Sequence, residues 1–516
     1  MHEVGRYDVF ELSLSSDAEL ANPFTDAAVS AEFAGPGGEA VTVAGFHYGD
    51  GEWRVRFAPG SVGEWSYEAE LTPKGAEPVR AAGEFECVPS GGHGFVRISK
   101  RNPHRFEYDD GTPFYPIGQQ TGAGVGPAPP FDAPEGAEKW CSTDRETFLE
   151  AFDGCINLVR SQLGCGTTAG VAKDVIKKDS DDPDRYDIEN SLWVDESCRA
   201  IKSRGWAQIL IPFQDMSTHG TDETSFGGTH DLETHKNISS PVLASMERYL
   251  RYVVARWGAY TDIWEIYNED SYCPDEFVAH LASVIRDADP YGHPVTTNYE
   301  RPGRDWCEVI CLHEYMDRPA AFVPGHLSGQ IGRMKGYGQP VIYTEFGNKA
   351  ILSNYDPVKW RVAVWTAFMM ESGIVFWNMS GRRTVPNLEK PWANSNAYLG
   401  PETRQYFRVL ADFTRELPVT LRPVSVYSAG RIPVEPWVLT DGRQAVVYLH
   451  NRGEETAEIE GARMPLMVGP GRWRVRWIDP ATGRTVAEEE TETEQHFLYP
   501  EVPPVEVDLA GRFDRV

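Results

Sequence analysis

Two glutamates stand where a buried strand should give out. In Thr261–Tyr272, TDIWEIYNEDSY, the apolar run Ile263–Tyr267 precedes Asn268-Glu269-Asp270. In Gln339–Gly347, QPVIYTEFG, another apolar run ends in Glu345. A carboxylate at the end of a buried strand is costly to ionise, so it needs partners or a task. Two of them facing across one mouth would be the equipment for hydrolysing a glycosidic bond, one as proton donor and one as nucleophile or base. Period-two alternation puts Glu265, Tyr267 and Glu269 on one side of the first strand and Trp264, Ile266 and Asn268 on the other. Glu265 is the rival acid, but its place in mid-strand predicts an ion pair inside the fold.

These residues need a scaffold, and the chain supplies a repeating one. Apolar strands end near residues 118, 160, 214, 268, 298, 313, 345 and 378, with helical periodicity between most of them. Thr143-Asp-Arg-Glu146 reads as a capping box, and Asp356-Pro357 opens another helix. Eight strand and helix units predict an α/β fold, a (β/α)₈ barrel, over 99–419. The glycine-rich GQQTGAGVG after the first strand lacks the frame of a dinucleotide fingerprint. Short strands punctuated by GPGG, GDG and PGSVG predict a β-sandwich over 1–98, and a hairpin signal at Asp441-Gly442 opens a C-terminal β-sandwich over 420–516.

In such barrels the strand C-termini form the active-site mouth. There the sequence gathers Gln119, Gln120, Arg160, Gln214, Asp215, Asn268, Glu269, Asn298, His313, Tyr315, Glu345 and Trp377. That mouth is polar, carries acids and one arginine, and has an aromatic floor, which suits a polyhydroxylated substrate. His219, His230 and His235 with Asp231 and Glu233 lack ligand spacing on a helix face and read as a solvated loop, so no metal and no cofactor is expected. Asp181, Asp182 and Asp184 read as an exposed acidic loop.

VIYTEFG, WEIYNED, INLVR, CLHEY and VFWNM resemble the strand ends of the large clan of retaining (β/α)₈ glycoside hydrolases that includes the family 5 cellulases and mannanases. The resemblance implies that Glu269 is the acid/base and Glu345 the nucleophile. It further implies that Asn268 contacts a sugar 2-hydroxyl, Arg160 and Tyr315 keep the nucleophile ionised, His313 lines the site, and Trp377 floors it. Asp270 follows Asn268-Glu269 where the best-known members carry proline. The N-terminal module, with NPF at 22–24 and the Trp53 and Trp65 strands, and the DGTPFYPIG stretch resemble domains that precede bacterial barrel hydrolases.

Composition narrows the partners. A formal net charge of −28 over 516 residues repels nucleic acid and anionic membranes. No run is long and apolar enough for a membrane span, and MHEVGRYDVFEL lacks the apolar core of a signal peptide. Eight cysteines without a paired framework predict free thiols and a cytoplasmic location. The expected partner is a carbohydrate. Two alternatives remain at this level: a transglycosidase using the same covalent intermediate, and a non-catalytic carbohydrate-binding scaffold.

Overall fold

The computed structural model describes residues 2–121, 145–163, 175–177, 182–213, 243–270, 273–316, 318–347, 356–377, 401–425, 434–451, 458–461 and 464–516. Its centre is a parallel barrel of eight strands: β1 (Ile117–Thr121), β2 (Leu158–Gln162), β3 (Ala207–Ile211), β4 (Ile263–Glu265), β5 (Val295–Thr296), β6 (Ile310–Tyr315), β7 (Val341–Gly347) and β8 (Ser372–Phe376). The hydrogen-bonded order is β5-β4-β3-β2-β1-β8-β7-β6. The seam between β5 and β6 is closed outside the regular ladder. Glu308 N donates to Val295 O at 2.8 Å, Thr296 Oγ1 to Val309 O at 2.6 Å, and Asn298 Nδ2 to Cys311 O at 3.1 Å. Strands such as VIYTEFG are buried along their whole length, because side chains of one face fill the barrel and those of the other meet helices.

Seven helices are described around the barrel: α1 (Arg145–Phe152), α2 (Ile188–Ser203), α3 (Leu243–Trp257), α4 (Asp275–Ala288), α5 (Val323–Lys335), α6 (Pro357–Met369) and α7 (Pro401–Thr414). Asp187 caps α2 by accepting from Asn190 N, and Asp356 caps α6 by accepting from Lys359 N ahead of a proline in its first turn. The capping box expected at Thr143 falls partly outside the described residues. Between β5 and β6 the chain returns without a helix, so that unit departs from the eightfold pattern. None of the described helices is long and apolar enough to cross a membrane.

The bottom of the barrel is plugged. Val96–Ile98, Phe106–Tyr108 and Pro113–Phe114 form a three-stranded antiparallel sheet, and Val96, Phe106 and Phe114 pack with Leu158, Ile209, Ile263, Val309, Ile342 and Val375.

Sheets flank the barrel on both sides of the sequence. The N-terminal one pairs His2–Gly5, Val79–Val88, Gly63–Pro73, Ala27–Ala34 and Ala40–Ala44, and faces Phe10–Ser15, Glu52–Phe57 and Phe46–Gly49 across a core of Phe10, Phe33, Trp53, Phe57, Trp65 and Phe85. It is locked to the barrel by Asp195 of α2, whose carboxylate takes Arg56 and Arg256 at 2.8 Å each and accepts from Trp257 Nε1 at 2.8 Å. At the C-terminus a six-stranded antiparallel sheet, from Arg422–Val424 to Asp508–Arg515 in its span, lies against α6. Arg361 there meets Asp508 at 2.9 Å and Trp365 stacks on Tyr448, which explains why Lys359 to Met369 are all buried.

Candidate active site

The local backbone departs from regular strand where the acids stand. On β7 the register shifts between Tyr343 and Phe346, and on β6 between Leu312 and His313, so that His313 pairs with Glu345. Tyr343 and Phe346 both pack into the helix-facing core. One extra residue in the strand thus lets the flanking rings face outward while Glu345 turns into the mouth, as a bulge does. At β4 the regular ladder ends with Glu265, and Glu269 adopts φ 56°. The alternation expected from sequence placed Asn268 and Glu269 on opposite sides. The pattern breaks ahead of Glu269: Ile266 and Tyr267 both pack in the helix-facing core, Tyr267 stacked on Phe213, while Asn268 and Glu269 both meet residues of the mouth, Arg160 and His313.

Arg160 organises the floor from β2. It is fully buried and forks onto Glu265, with Nε to Oε2 at 2.7 Å and Nη2 to Oε1 at 2.5 Å. Nη1 donates to Glu345 Oε1 at 2.7 Å and to Gln120 Oε1, and Nη2 donates to Asn268 Oδ1 at 2.8 Å. Gln120 Nε2 in turn donates to Glu345 Oε1 at 3.3 Å. Burial alone would lower the pKa of Arg160, but Glu265 and Glu345 raise it further, so the guanidinium is a permanent cation.

Glu345 is 4 % exposed. Burial pushes its pKa up, but His313, Arg160 and the hydroxyl of Tyr315 together outweigh this and hold it below the ordinary glutamate value. Tyr315 Oη donates to Oε2 of Glu345. Burial and the charge of Glu345 keep that phenol protonated, so it remains a donor. His313 Nδ1 stands between the two acids, 3.1 Å from Glu269 Oε1 and 3.6 Å from Glu345 Oε2. Glu269, with 19 % of its side chain exposed, is the more open of the pair. The two carboxylates and the imidazole offer atoms within 4.8 Å of one another. One acid is therefore clamped by a cation and a phenol, and the other faces the cleft.

The expected site residues divide into four groups. Glu269, Glu345, Arg160, Asn268, His313 and Tyr315 are brought together. Trp377 is buried at the end of β8, its N–H bonded to Phe346 O at 2.9 Å. Two others have their amide nitrogens engaged within the barrel. Gln119 is fully buried with Nε2 bonded to Gln120 O, because its neighbour Gln120 takes the inward register and the contact with Glu345. Asn298 Nδ2 donates to Cys311 O across the β5–β6 seam, while its buried Oδ1 has no partner among the described residues. Gln214, Asp215 and the histidine loop 219–235 lie outside the described residues.

Two participants were poorly visible beforehand. Gln120 differs from Gln119 only in the parity of the strand. Asp270 is a buried staple: it accepts from Thr297 Oγ1 at 2.9 Å and from Tyr299 N at 2.6 Å, and meets Arg301 at 3.2 Å. Burial raises its pKa and Arg301 opposes this. It anchors the loop behind Glu269 where a proline would otherwise stiffen it.

Comparison with known proteins agrees with this architecture. Residues 3–72 match the family model described as a domain of unknown function (DUF5060). No curated protein sequence matches the chain. Among solved structures, a candidate glycoside hydrolase from Bacteroides vulgatus is similar over 100% of both chains, with 19% identity and a TM-score of 0.70. A family 5 glycoside hydrolase from the same species aligns with 82% of this chain and 93% of its own, at 13% identity and a TM-score of 0.53. The chain has the barrel fold of these glycoside hydrolases, with flanking β-sheet domains.

Proposed function

We propose that the chain is a retaining glycoside hydrolase, with its catalytic barrel over 99–419 between sandwiches at 1–98 and 420–516. The observation that carries this is the unequal pair at the mouth: Glu345 clamped by Arg160 and Tyr315, Glu269 in the open cleft, with their nearest oxygens within 4.8 Å. Retaining enzymes hold their carboxyl groups about 5–5.5 Å apart and inverting ones roughly 6.5–9.5 Å, to admit a water. The close pair favours retention.

In this reading Glu345 attacks the anomeric carbon while Glu269 gives its proton to the leaving oxygen. Water, deprotonated by Glu269, then attacks the glycosyl-enzyme and Glu345 departs. Arg160 keeps the nucleophile anionic, and Asn268, oriented by Arg160, is presented to a sugar hydroxyl. We place the reaction in the cytoplasm on short oligosaccharides or glycosides; the six cysteines among the described residues are free thiols, which suits a reducing compartment.

The test is covalent trapping with a panel of 2-deoxy-2-fluoro glycosyl fluorides of differing sugar configuration. Peptide mass spectrometry should locate one label on Glu345. A label on another residue, or inversion of configuration during turnover of any accepted glycoside, would overturn the assignment.

A further inference from the structure

Glu269, His313 and Glu345 bring three metal-ligating groups to one point at the mouth. In a tetrahedral zinc site with nitrogen and oxygen ligands at about 2.0–2.1 Å, neighbouring ligand atoms are about 3.3 Å apart. The two edges through His313 Nδ1 measure 3.1 Å and 3.6 Å, so they already bracket that length. The third edge, between the carboxylates, is within 4.8 Å and closes by rotation of Glu269, the more exposed side chain.

Charge points the same way. Glu265 and Glu345 share one guanidinium, that of Arg160, and Glu269 adds a third carboxylate that meets only the imidazole of His313 among the described residues. Arg160 occupies Oε1 of Glu345, while Oε2, which accepts from Tyr315 Oη, is the oxygen that faces His313. One imidazole with two carboxylates suits zinc, whereas Mg²⁺ demands an octahedral oxygen shell and keeps its waters.

We infer that Glu269, His313 Nδ1 and Glu345 form a reversible zinc site that shuts the enzyme by engaging both carboxylates at once. The fourth position takes water from the cleft. His313 coordinates as the neutral imidazole, with Nδ1 deprotonated and its proton carried on Nε2 or released to solvent. Zinc is an inhibitor here and takes no part in turnover. Only the inhibitory consequence rests on the hydrolase reading; zinc binding itself does not.

The experiment is calorimetric titration of ZnCl₂ into the full chain, previously dialysed against chelator. One zinc per chain is expected, with affinity falling about tenfold or more in His313→Asn and in Glu269→Gln, each checked for native circular dichroism and melting. The triple variant His219→Asn, His230→Asn, His235→Asn should bind as the parent does. In parallel, zinc should inhibit turnover of an accepted aryl glycoside competitively and reversibly by EDTA, with Mg²⁺ without effect at the same concentration. Absence of zinc binding, unchanged affinity in both single variants, or loss in the triple variant would overturn the site. Zinc binding lost in His313→Asn by a chain that cleaves no glycoside would sustain the site and sink the hydrolase; turnover without zinc binding would do the reverse.

Discussion

At the scale of single residues, the site works by giving two identical side chains different surroundings. Glu345 has lost nearly all contact with water, and its charge is supported by His313, Arg160 and Tyr315. Glu269 has His313 as its polar partner among the described residues and opens to the cleft. The proton donor's contribution depends on how much help the leaving group needs. Glu269→Gln should therefore slow glycosides with poor leaving groups by about 10²–10⁴-fold and activated aryl glycosides far less. Steady-state kinetics on a leaving-group series checks this, and an equal loss across the series would remove Glu269 from the acid role. Arg160 invites a different test. Arg160→Met strands the carboxylates of Glu265 and Glu345 in a dry interior, which should cost about 3–5 kcal/mol of stability. Urea unfolding of the variant measures it; a loss under 1 kcal/mol would mean that water or rearrangement replaces the guanidinium.

At the scale of elements, the barrel depends on one seam that its regular ladder does not close. The β5 strand is only Val295–Thr296, and its bond to β6 is made largely by side chains. Thr296→Val keeps the shape of the side chain and removes the donor to Val309 O, leaving a buried carbonyl short of a partner. We expect a loss of about 1–3 kcal/mol. Amide hydrogen exchange should accelerate in β5 and β6 before the other strands. Uniform acceleration around the barrel would show instead that the seam unfolds only with the whole.

At the scale of the molecule, the N-terminal sheets are fastened to the barrel through a buried charge cluster. Asp195 is enclosed; burial raises its pKa, but Arg56 and Arg256 outweigh this and hold it at about 2, below the ordinary value of 3.8. A depressed carboxylate contributes stability that is complete above the unfolded value and is lost as pH falls through the folded one. The contribution is roughly 2 kcal/mol, present above about pH 4 and disappearing toward pH 2. Unfolding free energies of the parent and Asp195→Asn, measured across that range, should converge as pH falls. Asp195→Asn at neutral pH leaves two buried arginines poorly paired and should cost about 3–5 kcal/mol. A pH-independent gap between the two proteins would refute the linkage.

The barrel, and the polar residues that stand at its strand ends, were legible in the chain. Apolar strands ending in Arg160, Asn268-Glu269, His313 and Glu345 are recognisable because burial on both faces demands continuous hydrophobic runs, and polar residues are tolerated only where the run ends. Turn residues and alternation likewise announced the flanking sheets. What tertiary structure alone decided was direction. Gln119 and Gln120 are the same residue in adjacent positions, and only the register of β1 against β2 and β8 makes the second one a partner of Glu345. The bulge in β7 and the end of regular strand after Glu265, where Ile266 and Tyr267 both turn to the helices, overturn strict alternation ahead of both acids. Asn298 was readable as a mouth residue, but that its Nδ2 bonds Cys311 O follows only from β6 coming alongside. Burial is a property of a residue type and its neighbours in the chain, so it is written locally. The side on which a group emerges depends on strands distant in sequence, whose hydrogen bonds fix the pleat only once the barrel has closed.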